Sequence, residues 1–75
     1  MSITVYTRSG CKYCDYLKNF LQSSKKEYIE KDISISTNRD EFNNKNVQAV
    51  PLTILNEEKY VGFTEELKSA ILNSK

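Results

Sequence analysis

The stretch Ser9-Gly10-Cys11-Lys12-Tyr13-Cys14 contains both cysteines of this 75-residue chain, with two residues between them. The β-branched and apolar run Ile3-Thr4-Val5-Tyr6-Thr7 comes just before it, and a helical pattern comes just after it. A Cys-x-x-Cys pair at a strand-to-helix junction in a small βαβ-like chain is typical of a thiol–disulfide redox site. This stretch therefore indicates both the local fold and the chemistry.

The spacing of the two cysteines suits a disulfide that forms and breaks. If a helix begins near Cys11, Cys14 lies on the same face of its first turn. Cys11 then meets backbone N–H groups that lack intrahelical partners, at the positive end of the helix dipole, with Arg8 and Lys12 nearby. Such surroundings lower thiol pKa values to roughly 3.5–7.5. We predict that Cys11 is the attacking thiolate and that Cys14, which is deeper, is the resolving thiol.

Other uses of a cysteine pair fit this sequence less well. Structural zinc takes four Cys or His ligands, whereas the chain has 2 Cys and 0 His. A structural disulfide across so short a span would restrain little of the unfolded chain. Two buried and inert thiols are a further alternative that the motif by itself leaves open.

The composition of residues 1–75 is that of one small globular domain, near the lower size limit for a self-sufficient core. The chain is 39% hydrophobic and 28% charged, with a net charge of +1. It has no block of basic residues and no apolar run as long as a leader or a membrane span. We therefore expect a cytoplasmic monomer that binds neither nucleic acid nor membrane, with a cycling rather than a static disulfide.

Apolar periodicity predicts the element order β-α-β-α-β-β-α. One helix between the first two strands implies a parallel pair, and the loop Asn56-Glu57-Glu58 implies a β-hairpin. Helices on both faces of the sheet would let so short a chain bury a core. The predicted strands are residues 3–7, 27–33, 52–55 and 59–61, and the first predicted helix is residues 11–24. The second helix is predicted to run from a cap at Ser36 or Thr37 to about Lys45, with Asn46 as a left-handed C-cap. The third helix is predicted to follow the cap Thr64 and to bury Leu67, Ala70 and Ile71.

Three motifs in this order resemble those of the glutaredoxins, small members of the thioredoxin-fold superfamily. Cys11-Lys12-Tyr13-Cys14 is similar to the family's Cys-Pro-Tyr-Cys, with Lys12 in place of proline. Residues 46–51, Asn-Val-Gln-Ala-Val-Pro, resemble its Gly-x-x-Thr-Val-Pro, and residues 60–67 resemble its Gly-Gly segment, with Phe63 for the second glycine. The resemblance covers nearly the whole chain and implies an α/β thioredoxin-like fold, with a mixed four-stranded sheet flanked by three helices.

The family resemblance also implies an activity. Glutaredoxins are thiol–disulfide oxidoreductases that use the tripeptide glutathione as an electron-donating co-substrate and need no bound cofactor. The resemblance implies a cis Val50–Pro51 bond that faces Cys11 and Cys14, although only roughly 5–6% of X-Pro bonds are cis. The exposed backbone of Val50 could then pair with an extended thiol substrate.

The remaining site residues are implied by position in the family pattern. Arg8 would bind the glycine carboxylate of glutathione, with help from Arg39, and Tyr13 would line the groove. The N–H groups of Thr64 and Glu65 would bind the γ-glutamyl carboxylate, and the Glu65 side chain would lie near the ammonium group. Each residue also has an ordinary interpretation, as a solvated arginine, a first-turn aromatic or an acid that suits the helix dipole.

The departures from the family pattern leave other functions open. Tyr60 and Gly62-Phe63 are similar to NrdH-type redoxins, which take electrons from thioredoxin reductase and pass them to ribonucleotide reductase. Tyr13 favours a glutaredoxin, because NrdH-type motifs usually carry glutamine there. A third alternative is an iron–sulfur cluster bridged in a dimer by Cys11 and glutathione. A fourth alternative is an adaptor protein with the thioredoxin fold and no catalytic activity. The expected partners are glutathione and disulfide-containing proteins such as ribonucleotide reductase.

Overall fold

Seven elements follow in the predicted order in the computed structural model, which describes residues 3–47 and 49–73. A mixed sheet with the strand order β2-β1-β3-β4 carries three helices, which confirms the predicted thioredoxin-like architecture. The elements are β1 (Ile3–Thr7), α1 (Lys12–Ser23), β2 (Ile29–Asp32), α2 (Ser36–Asn43), β3 (Leu52–Leu55), β4 (Glu58–Val61) and α3 (Glu65–Asn73).

The pairing of the strands brings several loops to one edge of the sheet. β1 pairs in parallel with β2, so Thr7 lies beside Asp32. β1 pairs antiparallel with β3, and β3 with β4, so that Leu52 lies between Tyr6 and Val61. The carboxyl ends of β1, β2 and β4 and the amino end of β3 therefore share one edge. The predicted site residues lie in the loops at that edge or in the helices that begin there.

Each face of the sheet carries its own hydrophobic cluster, because alternate strand residues point to opposite faces. One cluster packs α1 and α3 on the sheet; its buried members are Ile3, Val5, Leu17, Leu21, Leu55, Leu67 and Ile71. The other packs Phe42 of α2 against Tyr6 and Leu52. Leu67 and Ile71 are buried as predicted, while Ala70 is only partly buried against the first cluster. Helices on both faces thus give this short chain its core.

Two predicted boundaries were wrong because the neighbouring backbone decides them. The second strand is shorter than residues 27–33, since β1 offers partners only from Thr4, opposite Ile29, to Thr7. The hairpin loop has two residues rather than three, because Glu58 pairs with Leu55 at the start of β4. Asn56 and Glu57 both have positive φ, of 52° and 69°. A two-residue turn of that kind matches the twist of the two strands.

The predicted caps of the second helix were also wrong. Ile35 occupies the N-cap position without a side-chain hydrogen bond, and Ser36 is already helical. Asp32 secures the entry instead, because its carboxylate accepts the Ser34 N–H at 2.9 Å. The helix ends at Asn43 rather than near Lys45, with Asn44 as its C-cap. Asn46 does have the predicted left-handed conformation, with φ 60°, but lies two residues beyond that cap.

None of the helices within the described ranges is both long enough and apolar enough to cross a bilayer.

Candidate active site

Cys11 and Cys14 form a disulfide at the start of α1, with their Cα atoms 5.2 Å apart. Cys11 is the N-cap of the helix, and its Sγ accepts the backbone N–H of Cys14 at 3.1 Å. Cys11 is 9% exposed and Cys14 is 1% exposed. The difference arises because Cys14 shares the face of α1 that packs on the sheet with Leu17 and Leu21. The predicted order of accessibility is confirmed, and the N–H bond would stabilise a Cys11 thiolate.

A polar network lies beside the deeper cysteine. Lys18 is one turn after Cys14 on α1, and its Nζ donates to Glu30 Oε2 at 3.0 Å. The buried hydroxyl of Thr7, at the end of β1, donates to the same oxygen at 2.8 Å. The hydrogen bond to Glu30 raises the pKa of Lys18. Sequence reasoning missed this network, because its members come from three separate elements.

The Val50–Pro51 peptide bond is cis, as the family resemblance implied. Pro51 is buried at the entrance to β3. The antiparallel pairing of β3 with β1 begins directly after it, at the Tyr6–Leu52 pair. The Pro51 carbonyl accepts the N–H of Gly62 at 2.8 Å. This bond joins the proline segment to the turn that leads into α3.

Arg8 and Tyr13 flank Cys11 in the chain, and both side chains are exposed. The Arg8 side chain is exposed and has no hydrogen bond or ion pair to any residue in the described ranges. Its carbonyl accepts the Cys11 N–H at 3.3 Å, which fixes the loop that carries it. Tyr13 is 59% exposed, and its ring meets that of Tyr16 edge to face at 5.8 Å. An exposed cation thus lies three residues before Cys11 in the chain, and two exposed aromatic rings follow it on the first turns of α1.

Arg39 is occupied by the loop between β2 and α2. Its Nε donates to the Ile33 carbonyl at 3.2 Å and its Nη2 to the Ser34 carbonyl at 3.4 Å. The guanidinium therefore closes the entry to α2, at the same edge of the sheet as the cysteines. These contacts give Arg39 a structural role in the β2–α2 loop, and its role in substrate binding stays a prediction.

The start of α3 forms the other border of the site. Thr64 Oγ1 accepts the Leu67 N–H at 3.2 Å, which confirms the predicted N-cap. The N–H groups of Thr64 and Glu65 have no hydrogen-bond partner among the residues that the structure describes. Two unpartnered donors at a helix N-terminus favour an anion. The Glu65 carboxylate, however, is engaged by Lys68 Nζ at 3.0 Å.

Phe63 holds that lysine in place. The ammonium of Lys68 lies 4.8 Å from the centroid of the Phe63 ring. The ring in turn meets Phe20 of α1 edge to face at 5.8 Å and packs on the core cluster below it. The sequence analysis did not identify Lys68. The Glu65/Lys68 spacing of three residues on a predicted helix was the available signal.

Within residues 3–47 and 49–73, no three His, Cys, Asp or Glu side chains are grouped so that they could hold a metal ion. A cluster bridged between two chains would need Cys11 from each chain together with glutathione, and that alternative stays a prediction.

Comparison with known proteins identifies a family. A family model described as Glutaredoxin matches residues 3–61 of the chain. That range includes the cysteine motif, the cis-proline segment and all four strands. No curated protein sequence matches the chain.

Solved structures of several small redox proteins superpose on this fold. Glutaredoxin 1 from Francisella tularensis is 27% identical, with a TM-score of 0.77, and the match covers 97% of this chain and 98% of that one. The thioredoxin-like protein BC3987 is 25% identical, with a TM-score of 0.80 and coverage of 93% and 99%. The glutaredoxin-like protein NrdH-redoxin from Escherichia coli has a TM-score of 0.82 and covers 92% of each chain, but at 18% identity it shows the fold alone.

Proposed function

Because the chain belongs to the glutaredoxin family, we propose that this thiol–disulfide oxidoreductase takes its electrons from glutathione. Its redox pair is Cys11 and Cys14, which the structure shows in the oxidised form. The proposed substrates are protein disulfides, such as that of ribonucleotide reductase, and mixed disulfides of glutathione with proteins. The proposed location is the cytoplasm, where a cycling disulfide is favoured over a static one.

The reaction with a protein disulfide takes two exchange steps. The Cys11 thiolate attacks one sulfur of the substrate disulfide, forms a mixed disulfide with it and expels the other sulfur as a thiolate. Cys14, after losing its proton, attacks Cys11 Sγ and releases the second substrate thiolate. The products are a reduced dithiol substrate and the Cys11–Cys14 disulfide. Two electrons pass from the enzyme to the substrate.

Two molecules of glutathione then restore the dithiol. The first thiolate attacks Cys11 Sγ, releases Cys14 and leaves glutathione bound to Cys11 as a mixed disulfide. The second attacks the glutathione sulfur, releases the Cys11 thiolate and yields glutathione disulfide. Attack at Cys11 is favoured because it is the more exposed of the two sulfurs.

The observation that carries the choice of glutathione is the guanidinium of Arg8, which is exposed and has no partner among the described residues, in the loop whose Arg8 carbonyl accepts the Cys11 N–H. Glutathione bears two carboxylates and one ammonium at neutral pH. A groove for it needs a cation at one end and N–H donors at the other. Arg8 is available as the cation, and the start of α3 at Thr64 and Glu65 offers the donors. Tyr13 and Val50 would border the peptide between these ends.

Replacement of Arg8 tests this proposal. A hydrogen bond to a charged group contributes about 1.5–3 kcal/mol, and solvent exposure of Arg8 places the effect at the lower end of that range. Arg8→Ala should therefore raise the KM for glutathione about tenfold, with little change in the circular dichroism spectrum. Added salt should weaken glutathione use by the wild type more than by the variant.

Lys59→Ala is the matched control, because Lys59 is an exposed cation on β4 whose Nζ bonds only a backbone carbonyl, that of Lys45. It should leave the KM for glutathione unchanged.

The same assay with thioredoxin reductase in place of glutathione tests the electron source. Rapid turnover with that reductase, together with poor reduction by glutathione, would overturn the proposal.

An NrdH-type redoxin is the second candidate, and Phe63 is the residue that favours it. An aromatic side chain stands there instead of the second glycine of the glutaredoxin pattern, and it adds bulk at the start of α3. Tyr60, the other suspected aromatic, is half-buried and packs with Phe63 on the core cluster. Because both rings pack on the hydrophobic core, their presence does not require a surface that binds thioredoxin reductase.

A further inference from the structure

Lys68 makes two contacts that together fix its ammonium at the start of α3. Its Nζ is 3.0 Å from Glu65 Oε1 and 4.8 Å from the centre of the Phe63 ring. The ring is held by the edge-to-face contact with Phe20. The Lys68 side chain is two-thirds buried, with 32% of its surface exposed, whereas the Glu65 side chain is 89% exposed. The cation, rather than the carboxylate, is thus the positioned member of the pair.

The position matters because Glu65 stands at the helix start, where the N–H groups of Thr64 and Glu65 have no partner among the described residues. On the proposed function, those donors receive the γ-glutamyl carboxylate, and the Glu65 side chain would receive the ammonium group next to it. Lys68 already supplies a positive charge to that carboxylate. A second ammonium would have to displace Lys68 or be repelled by it. Glu66, the other acid of the first turn, is exposed and is not paired with Lys68.

We propose that Lys68 determines substrate specificity by occupying Glu65, so that the site recognises the γ-glutamyl carboxylate but gains little from the ammonium group. This inference rests on the proposed use of glutathione. Phe63 is the cause of the arrangement, since a glycine at that position would offer the lysine no ring. The site should therefore accept γ-glutamyl thiols whose amino group is blocked.

The experiment compares glutathione with N-acetylglutathione, which keeps the thiol and both carboxylates but lacks the ammonium. The measured quantity is the ratio of kcat/KM for the two thiols as reductants of the Cys11–Cys14 disulfide. In the wild type this ratio should be close to one. In Lys68→Met it should rise about threefold in favour of glutathione, the size expected for one exposed ion pair. Because each ratio is taken within one variant, a change in folding or thiol reactivity cancels.

Two further variants sharpen the comparison. Lys59→Met removes the same charge from β4 without touching Glu65 and should keep the wild-type ratio. Lys68→Met combined with Glu65→Gln removes the freed carboxylate and should return the ratio to the wild-type value.

Three results would count against the inference. An unchanged ratio in Lys68→Met, with glutathione active in the wild type, would overturn the role of Lys68 alone. An equal loss of kcat/KM for both thiols in Lys68→Met would also leave the ratio at its wild-type value and would overturn the inference as well. If neither thiol reduces the wild type while thioredoxin reductase does, the proposed function fails and this inference fails with it.

Discussion

Two cysteines three positions apart differ in role because a helix turns between them. Cys11 caps α1 from outside and receives an N–H bond at its sulfur, while Cys14 faces the sheet. The same turn of helix therefore exposes the Cys11 sulfur to the substrate and buries the Cys14 sulfur, which reacts in the second step. Arg8 and Lys68 are also single residues whose surroundings decide their roles. Arg8 has no partner among the described residues and can bind a substrate carboxylate, whereas Lys68 is already paired with Glu65.

Single-cysteine variants test this division of roles. Cys11→Ser should reduce all reductase activity to the background rate, because no other thiol can start the exchange. Cys14→Ser should retain reduction of glutathione mixed disulfides, which needs one thiol, and lose reduction of protein disulfides, which needs two. Both substrates should be assayed with each variant. Equal loss in both variants on both substrates would contradict the assignment.

At the scale of elements, positive φ angles fall on side chains that do not favour them. Lys25 has φ 58° directly after the C-cap of α1, where its N–H donates to Gln22 and that of Lys26 donates to Leu21. This is a Schellman motif with lysine in the place usually taken by glycine. Glu57 likewise has φ 69° in the hairpin turn. Each residue costs backbone energy that glycine would avoid.

Glu57→Gly should therefore stabilise the protein. Relief of the left-handed conformation contributes about 1–2 kcal/mol, and the greater freedom of glycine in the unfolded chain offsets about 0.4–1 kcal/mol of that. We expect a net gain of roughly 0.5–1 kcal/mol, or about 2–8 °C in Tm, by thermal unfolding. Glu58→Gly, next to it in β4, should destabilise because strand residues disfavour glycine. A lower Tm for Glu57→Gly would contradict the turn geometry.

At the scale of the whole molecule, Glu41 ties the lone helix of one face to the sheet. Its Oε1 accepts the Lys31 ammonium of β2 at 2.6 Å and the Tyr6 hydroxyl of β1 at 3.1 Å. These bonds, Lys31 first, lower the pKa of the Glu41 carboxyl from 4.5. The bond to Glu41 also raises the pKa of Lys31. Burial, followed by the hydrogen bond that its own hydroxyl donates to Glu41, raises the pKa of Tyr6.

The stability of the fold should depend on pH through this group. A lowered carboxyl pKa stabilises the folded state above the unfolded value of 4.5, and that contribution is lost as the pH falls through the folded value. The raised pKa of Lys31 acts in the opposite direction, so its contribution is lost in alkali. Glu41→Gln should flatten the acid limb of the unfolding free energy between about pH 5 and pH 3, measured by urea denaturation. Glu66→Gln, which lies outside this network, should leave the acid limb steep.

The sequence by itself determined the order of elements, the strand–helix junction with its two cysteines, and the N-cap at Thr64. These features depend on local periodicity and on residues close together in the chain, which is why a single sequence can show them. It also supported the more exposed position of Cys11, because helical spacing alone separates the two sulfurs. The cis bond before Pro51 followed from the resemblance, since local physics favours the trans form.

Only the tertiary structure decided which side chains are free to bind and which are already engaged. The family pattern implies Arg8 as the carboxylate ligand with help from Arg39, yet Arg39 is engaged by the carbonyls of the β2–α2 loop. Glu65 is a plausible ligand for an ammonium until Phe63, packed on a ring from another helix, places Lys68 beside it. The ends of the second strand and of the hairpin loop likewise depended on the registers with β1 and β3. The physical reason is common to all of them: each contact joins residues that are distant in the chain, and their geometry exists only after the sheet and helices have packed.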